Sequence, residues 1–322
     1  MFKILSIDGG GIRGVIPAML LADIERRTGK PVSELFDLVA GTSTGGIIAT
    51  MLTAPDANGR VRYSAQMVKE MYIRFGSEVF HPNPLRKLVT LGGLRGSKYS
   101  AKRLDSLLQR MLGEAELCDS LAPLLIPAYD MAAPRPFFFK STYAQSPWST
   151  RDNPRLWQAA RATSAAPTYF PPFPLHGCEK APSMCMIDGG LFANNPALCA
   201  FAEGYGRIRR EGCLLLSLGT GVHPDGYPCE EAKRWGLVQW ASPLIDIVGE
   251  SGPETVDYQL RTLFRTLDGR YLRIQVYLDA QSTAMDDASP ENLARLETYG
   301  EDAIRRYDNL LSQFSALLLG ST

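Results

Sequence analysis

A serine held between a strand and a helix is the feature that most constrains this chain. Gly41-Thr42-Ser43-Thr44-Gly45 stands directly between residues 36–40, which read as a strand, and residues 44–52, which read as a helix. The small residues Gly41 and Gly45 allow so abrupt a turn to close without a clash, and a serine at its apex has its hydroxyl exposed. The turn therefore predicts a nucleophile elbow with Ser43 as nucleophile, on a strand that enters a helix as in an α/β fold.

The rest of the pattern agrees with that class. Residues 2–7 read as a first strand, and Val15, Ile16, Met19, Leu20 and Ile24 form the stripe of a helix that closes near Gly29. Further strands are expected at 124–129, 184–187, 214–218 and 271–276, and helices at 156–163, 195–209, 256–264 and 290–319. Strands crossing over through helices predict an α/β protein with a mainly parallel sheet, and 322 residues with 45% hydrophobic content can bury one large core. We expect one domain over 1–322. Two stretches rich in proline and glycine, 81–96 and 166–182, are expected as long loops.

Thirty-four Lys and Arg balance 34 Asp and Glu, so no global charge draws the chain to a nucleic acid polymer. No apolar run approaches the ~18 residues of a membrane span. The first residues lack the long apolar core and small-residue cleavage site of a secretion signal, so a cytoplasmic protein is expected. The six cysteines contain no C-x-x-C pair and read as reduced thiols. His176, Cys178 and Cys185 lack a fourth ligand and the tight spacing of a zinc site; no metal or cofactor is expected.

Between the first strand and its helix lies Asp8-Gly9-Gly10-Gly11-Ile12-Arg13-Gly14, which satisfies G-x-G-x-x-G through Gly9, Gly11 and Gly14. Such a loop presents backbone N–H groups to an anion, either a nucleotide phosphate or the oxyanion of a tetrahedral intermediate. A dinucleotide site would place an acidic residue at the end of the second strand, where this chain has Gly41-Thr42-Ser43. A nucleotide-binding protein with a structural Ser43 remains the alternative. A serine nucleophile needs a base. The three histidines, His81, His176 and His223, lie in proline-rich or turn-like contexts that suit surface or loop-anchoring roles. Asp188, in Asp188-Gly189-Gly190 after the 184–187 strand, is the next candidate, at the sheet edge where the other two loops emerge. To act as a base it would need desolvation, or a hydrogen bond to Ser43, to raise its proton affinity. The bland reading is a strand-capping turn.

Together the three loops resemble the patatin-like phospholipases, in the family's order. Residues 162–172 (ATSAAPTYFPP) and Asn194-Asn195-Pro196 are similar to the family's segments on either side of the aspartate, and the likeness is strong over about 3–220. It implies a three-layer α/β/α fold and a Ser43–Asp188 dyad without histidine, acting on membrane phospholipid through an acyl-enzyme. It also implies an oxyanion hole from the Gly9, Gly10 and Gly11 loop, with the N–H groups of Gly10 and Gly11 and that of Thr44 as donors. Arg13 would add positive charge there or shape the loop through a salt bridge.

Residues 85–104 carry Arg86, Lys87, Arg95, Lys98, Lys102 and Arg103 with no acidic residue among interleaved leucines. This suits peripheral contact with anionic headgroups at the inner membrane surface, or an ordinary solvated segment. Beyond 221, residues 251–264 and 285–289 are similar to segments of small bacterial members, some of which are anti-phage effectors activated by a cyclic dinucleotide. The same activator is the corresponding expectation here.

Overall fold

The computed structural model describes residues 1–81, 96–142, 153–175, 184–224 and 226–320. Its strands are β1 (Phe2–Ile7), β2 (Leu38–Gly41), β3 (Leu124–Asp130), β4 (Arg135–Lys140), β5 (Phe173–Leu175), β6 (Met184–Asp188), β7 (Cys213–Leu218) and β8 (Gly269–Ile274). The helices are α1 (Val15–Thr28), α2 (Val32–Leu35), α3 (Thr44–Thr53), α4 (Ala65–Val79), α5 (Ala101–Leu112), α6 (Leu156–Thr163), α7 (Gly190–Ala193) and α8 (Ala197–Glu211), followed by α9 (Cys229–Ala232), α10 (Leu237–Leu263), α11 (Pro290–Arg306) and α12 (Asp308–Leu318). Among the described residues no helix is long and apolar enough to cross a membrane.

All eight strands form one sheet, in the order β5-β6-β3-β2-β1-β7-β8 with β4 also on β3. From β3 to β8 the neighbours are parallel, whereas β4 and β6 run antiparallel to β3 and β5 antiparallel to β6. Side chains alternate between the two faces of the sheet. Leu5, Ile7, Leu214 and Leu216 pack with α1, α3 and α11 in the larger core. Phe2, Ile4, Cys213 and Leu215 pack with Ala197, Ala200 and Phe201 of α8 and Leu260 of α10 in the other. Two helical layers therefore enclose the sheet, as the three-layer expectation requires.

The arrangement around β3 positions the site. β4 pairs with β3 from Leu125 to Asp130. It overlaps β2, which pairs at Leu124 and Leu125, and β6, which pairs at Ala128 to Asp130. A strand has two edges, so β2 and β6 must share the edge that β4 leaves open. They run toward each other along it, and their C-terminal ends meet near Ile126 and Pro127. The sequence reading placed Asp188 beside the other two loops, which is where it lies, but the parallel-sheet reason given for it does not hold. Asp188 reaches that level because β6 is short and runs back toward β2.

Several bounds also differ. The second strand is Leu38–Gly41 rather than 36–40, and the region expected as one loop over 166–182 contains β5. The helix expected at 256–264 is the end of the 27-residue α10, whose start is obscured in sequence by Pro243 and Pro253 within it. The helix expected over 290–319 breaks at Tyr307 into α11 and α12. Helices α4 and α5 and strand β4 were not anticipated. Of the expected loop at 81–96, residues 82–95 lie outside the described residues, as do His176 and Cys178.

Candidate active site

The turn between β2 and α3 forces Ser43 into a backbone conformation that non-glycine residues rarely adopt, φ 54° and ψ −120°. Its glycines are required by contact. A Cβ on Gly41 would lie 2.1 Å from the Gly45 carbonyl oxygen, and one on Gly45 would lie 2.2 Å from that of Ile7. The Ser43 N–H donates to Thr163 Oγ1 at 2.9 Å, and Thr163 Oγ1 donates to the Pro127 carbonyl at 2.5 Å. The end of α6 thus ties the elbow to the stretch of β3 between β2 and β6.

Asp188, at the end of β6, is buried and hydrogen-bonded to the Ser43 side chain. Its Oδ1 accepts the Gly190 N–H at 2.7 Å, and its own N–H donates to Ala165 at 3.1 Å. Burial pushes the carboxyl up to about 6, and the two hydrogen bonds only partly oppose it. This is the desolvation the sequence argument demanded. The turn must start with glycine because a Cβ on Gly189 would lie 2.4 Å from the Pro127 carbonyl oxygen.

The glycine loop lies against Ser43 and Asn194: a Cβ on Gly9 would lie 3.2 Å from that of Ser43 and 2.3 Å from Asn194 Oδ1. Its backbone is held from several sides. The Gly9 N–H donates to Asn194, the Ile12 N–H to Met285, and Thr220 Oγ1 to the Gly9 carbonyl. Both the backbone N–H and the Nε of Arg13 donate to the Gly10 carbonyl, each at 3.3 Å. Because the trans peptide opposes its C=O and N–H, fixing the Gly10 carbonyl turns the Gly11 N–H the other way. Arg13 is therefore a brace of this loop, made through the Gly10 carbonyl. Gly11 itself has φ +60°, with the Met285 carbonyl 2.0 Å from where a Cβ would stand. Thr44 is the first residue of α3, so its N–H has no partner within that helix. Its carbonyl accepts from the Tyr72 hydroxyl at 3.1 Å.

Beneath the loop, Arg273 of β8 makes a two-pronged contact with Asp8, 2.9 and 2.6 Å, and a 2.9 Å bond to Ser217. The side chains alternate so that Ser6 and Asp8 of the first chain segment, Ser217 of β7 and Arg273 of β8 fall on the α8 face. Both charges are buried, and the carboxylate keeps the guanidinium protonated.

Ser43, Asp188, Gly10, Gly11, Arg13 and Thr44 line a single cavity of about 700 Å³. Its walls are largely apolar: Met71, Phe75 and Val79 of α4, Leu104 and Leu108 of α5, and Tyr169 with Phe170. A wall of hydrocarbon with a few convergent polar groups suits a chain-like apolar ligand held by one polar end. His223 also lines this cavity, and Asp188 is hydrogen-bonded to Ser43.

The patatin-like phospholipase family model matches residues 5–201. The chain belongs to the patatin-like phospholipase family. Patatin-like protein 2 of Oryza sativa subsp. indica is 34% identical, the match covering 94% of this chain and 83% of the relative. Its namesake in Arabidopsis thaliana is 35% identical over 95% and 83%. A Solanum tuberosum relative, 32% identical over 99% and 92%, is named "Probable inactive patatin-3-Kuras 1". Among solved structures, VipD from Legionella pneumophila is similar over 97% of this chain and 66% of that one, at 14% identity and a TM-score of 0.43. The family places this patatin-like phospholipase among lipid hydrolases, while the potato relative's name makes the residues of each member's own site the relevant test.

The structure brings Ser43, Asp188, Gly9, Gly10, Gly11, Arg13, Thr44, Gly41, Gly45, Gly189 and Gly190 to one place, with Gly14 packed where a Cβ would lie 2.5 Å from Thr44 Oγ1. Sequence reasoning missed Thr163 as the partner of the Ser43 N–H, Tyr72, Thr220, Arg273 and the Met285 carbonyl. Thr163 and Met285 lay in quoted segments but carried no pattern signal for a contact with loops more than a hundred residues away. Arg273 was legible only as a charge inside an apolar strand, the kind of residue that is buried only when paired.

Proposed function

We propose that this protein is a serine lipid acyl hydrolase of phospholipase A type, with Ser43 as nucleophile, Asp188 as proton acceptor and the glycine loop as oxyanion hole. The observation that carries the reading is the buried Asp188 carboxyl hydrogen-bonded to Ser43 at the base of an apolar cavity. Ser43 Oγ attacks the ester carbonyl carbon while its proton passes to the Asp188 carboxylate. The N–H groups of Gly10, Gly11 and Thr44 stabilise the oxyanion; in other acyl-transfer enzymes, loss of one such donor costs roughly 2.7–4 kcal/mol. Collapse expels the lysolipid alkoxide, which takes the proton from Asp188 and leaves an acyl-enzyme. Water then attacks the acyl carbon, gives its proton to Asp188, and the proton returns to Ser43 Oγ as the fatty acid departs.

A buried carboxyl group lining the same cavity as the glycine loop works against the nucleotide alternative, because a phosphate there would face like charge. The substrate in this reading is membrane phospholipid, reached by peripheral contact at the inner membrane surface from a cytoplasmic protein. Wild type and Ser43→Ala are incubated with mixed phospholipid vesicles, with and without cyclic dinucleotides, and released fatty acid and lysolipid are measured. Release by wild type alone is expected, and a dependence on nucleotide would assign the activator. Undiminished release by Ser43→Ala would overturn the proposal.

A further inference from the structure

The cavity has an apolar, aromatic rim that the chemistry above does not use. Leu237, Trp240, Leu244, Ile247 and Val248 of α10 fall at spacings of 3, 4, 3 and 1, within one face of a helix. Such a stripe is ordinarily buried. Here Leu237 is 93% exposed, Leu244 50%, Val248 42% and Ile247 39%. A second exposed apolar pair, Leu191 and Phe192, stands on α7, immediately after the Asp188 turn. The two helices are joined beside the site, where Asn194 Nδ2 donates to the Gly249 carbonyl at 3.0 Å.

This surface is continuous with the cavity at both ends. Val248 and Leu191 line the cavity, and so does Tyr227. From Tyr227 an edge-to-face chain of rings leads outward, 5.3 Å to Trp235 and 5.0 Å from Trp235 to Trp240, back onto the α10 stripe. Tyrosine and tryptophan beside exposed leucine and isoleucine are the side chains that settle at a membrane–water boundary. The charge is wrong for an electrostatic dock: residues 226–250 carry Glu230, Glu231, Asp246 and Glu250 against Lys233 and Arg234.

We propose that the α10 stripe, the Tyr227–Trp235–Trp240 rings and Leu191–Phe192 form the face on which the protein docks to a phospholipid bilayer, seating by apolar and aromatic insertion. The inference rests on the lipid hydrolase reading for its occupant, since a cavity opening on this face would receive a lipid directly from the bilayer. It also separates docking from the basic stretch at 85–104. Lys98, within that stretch, is already paired with Asp286.

The test measures binding and needs no turnover. Ser43→Ala protein is floated with phosphatidylcholine vesicles and with anionic phosphatidylserine-containing vesicles at low and high salt, alongside the same protein carrying Leu237→Glu and Leu244→Glu. Equal binding at both salt concentrations is expected, falling by about tenfold or more in the double-glutamate protein. Circular dichroism shows that the variant is folded, and a second variant, Trp240→Ala, weakens binding without adding charge. Three outcomes overturn the proposal: undiminished binding by both variants, binding confined to anionic vesicles and abolished by salt, or no vesicle binding, in which case a dimer that the glutamates dissociate would assign the face to a second copy of the chain. Turnover of a soluble short-chain ester by wild type reports separately on the hydrolase reading.

Discussion

Thr163 holds the peptide of Ser43 in place: its hydroxyl oxygen accepts the Ser43 N–H at 2.9 Å while its own proton goes to the Pro127 carbonyl at 2.5 Å. One buried hydroxyl thereby fills the interval between the facing ends of β2 and β6, where neither strand supplies a partner. A threonine is suited to this because it accepts and donates at once.

Replacing it with the near-isosteric valine would leave a buried donor and a buried acceptor unsatisfied, at about 1–3 kcal/mol for each group. Thr163→Val is expected to lower kcat on a soluble ester by roughly tenfold to a hundredfold with little change in KM, as expected of a residue that positions the nucleophile. Thr163→Ser keeps both hydrogen bonds and should retain most of the activity. Steady-state kinetics on the three proteins decide between these outcomes.

Asp188 makes stability and activity depend on pH in opposite directions. Its folded-state value of about 6 lies above the ordinary 3.8, so the folded protein holds this proton more tightly than the unfolded chain does. Any stability from that proton is present below about 3.8, is lost as pH rises to about 6, and does not return above it. The full difference is on the order of 3 kcal/mol. Asp188→Asn is therefore expected to unfold at a higher temperature than wild type at pH 8, with the gap closing toward pH 4. Wild-type kcat/KM should rise with pH through an apparent value near 6. An Asp188→Asn protein that is less stable at pH 8 would show that its new amide fails to find partners.

Gly11 tests the shape of the oxyanion loop. Alanine there would pay for left-handed backbone, about 1–2 kcal/mol, and drive its Cβ into the Met285 carbonyl. The loop must move, and the Gly11 N–H moves with it. Turnover by Gly11→Ala should fall by on the order of a hundredfold or more, as when one oxyanion donor is lost. A thermal midpoint within a few degrees of wild type would separate this from unfolding.

The Asp8–Arg273 pair can be tested by removing one partner or both. Arg273→Met leaves a buried carboxylate alone and is expected to cost about 3–5 kcal/mol in denaturant unfolding. Adding Asp8→Asn removes that charge and should restore much of the stability. Activity should stay low in the double variant, because the side chain at position 8, next to Gly9, is no longer held by the two-pronged contact with Arg273. Recovery of both stability and turnover would reduce the pair to a role in folding.

What the sequence determined by itself was local. The glycines at 41 and 45 require a tight turn around Ser43, the helical stripe from Val15 ends at Gly29, and the 124–129 and 214–218 runs read as strands because residues within a few positions of one another set those patterns. Residue types and their order also carried the three motif loops. Tertiary structure decided the rest. That β6 runs antiparallel and meets β2 end to end on one edge of β3 follows from pairings across more than fifty residues, which no local period records. The same holds for Arg273 beneath Asp8, Met285 against Gly11 and the uncovered stripe of α10. Periodicity reports which side chains share a face, but what lies against that face is fixed only when distant segments pack together.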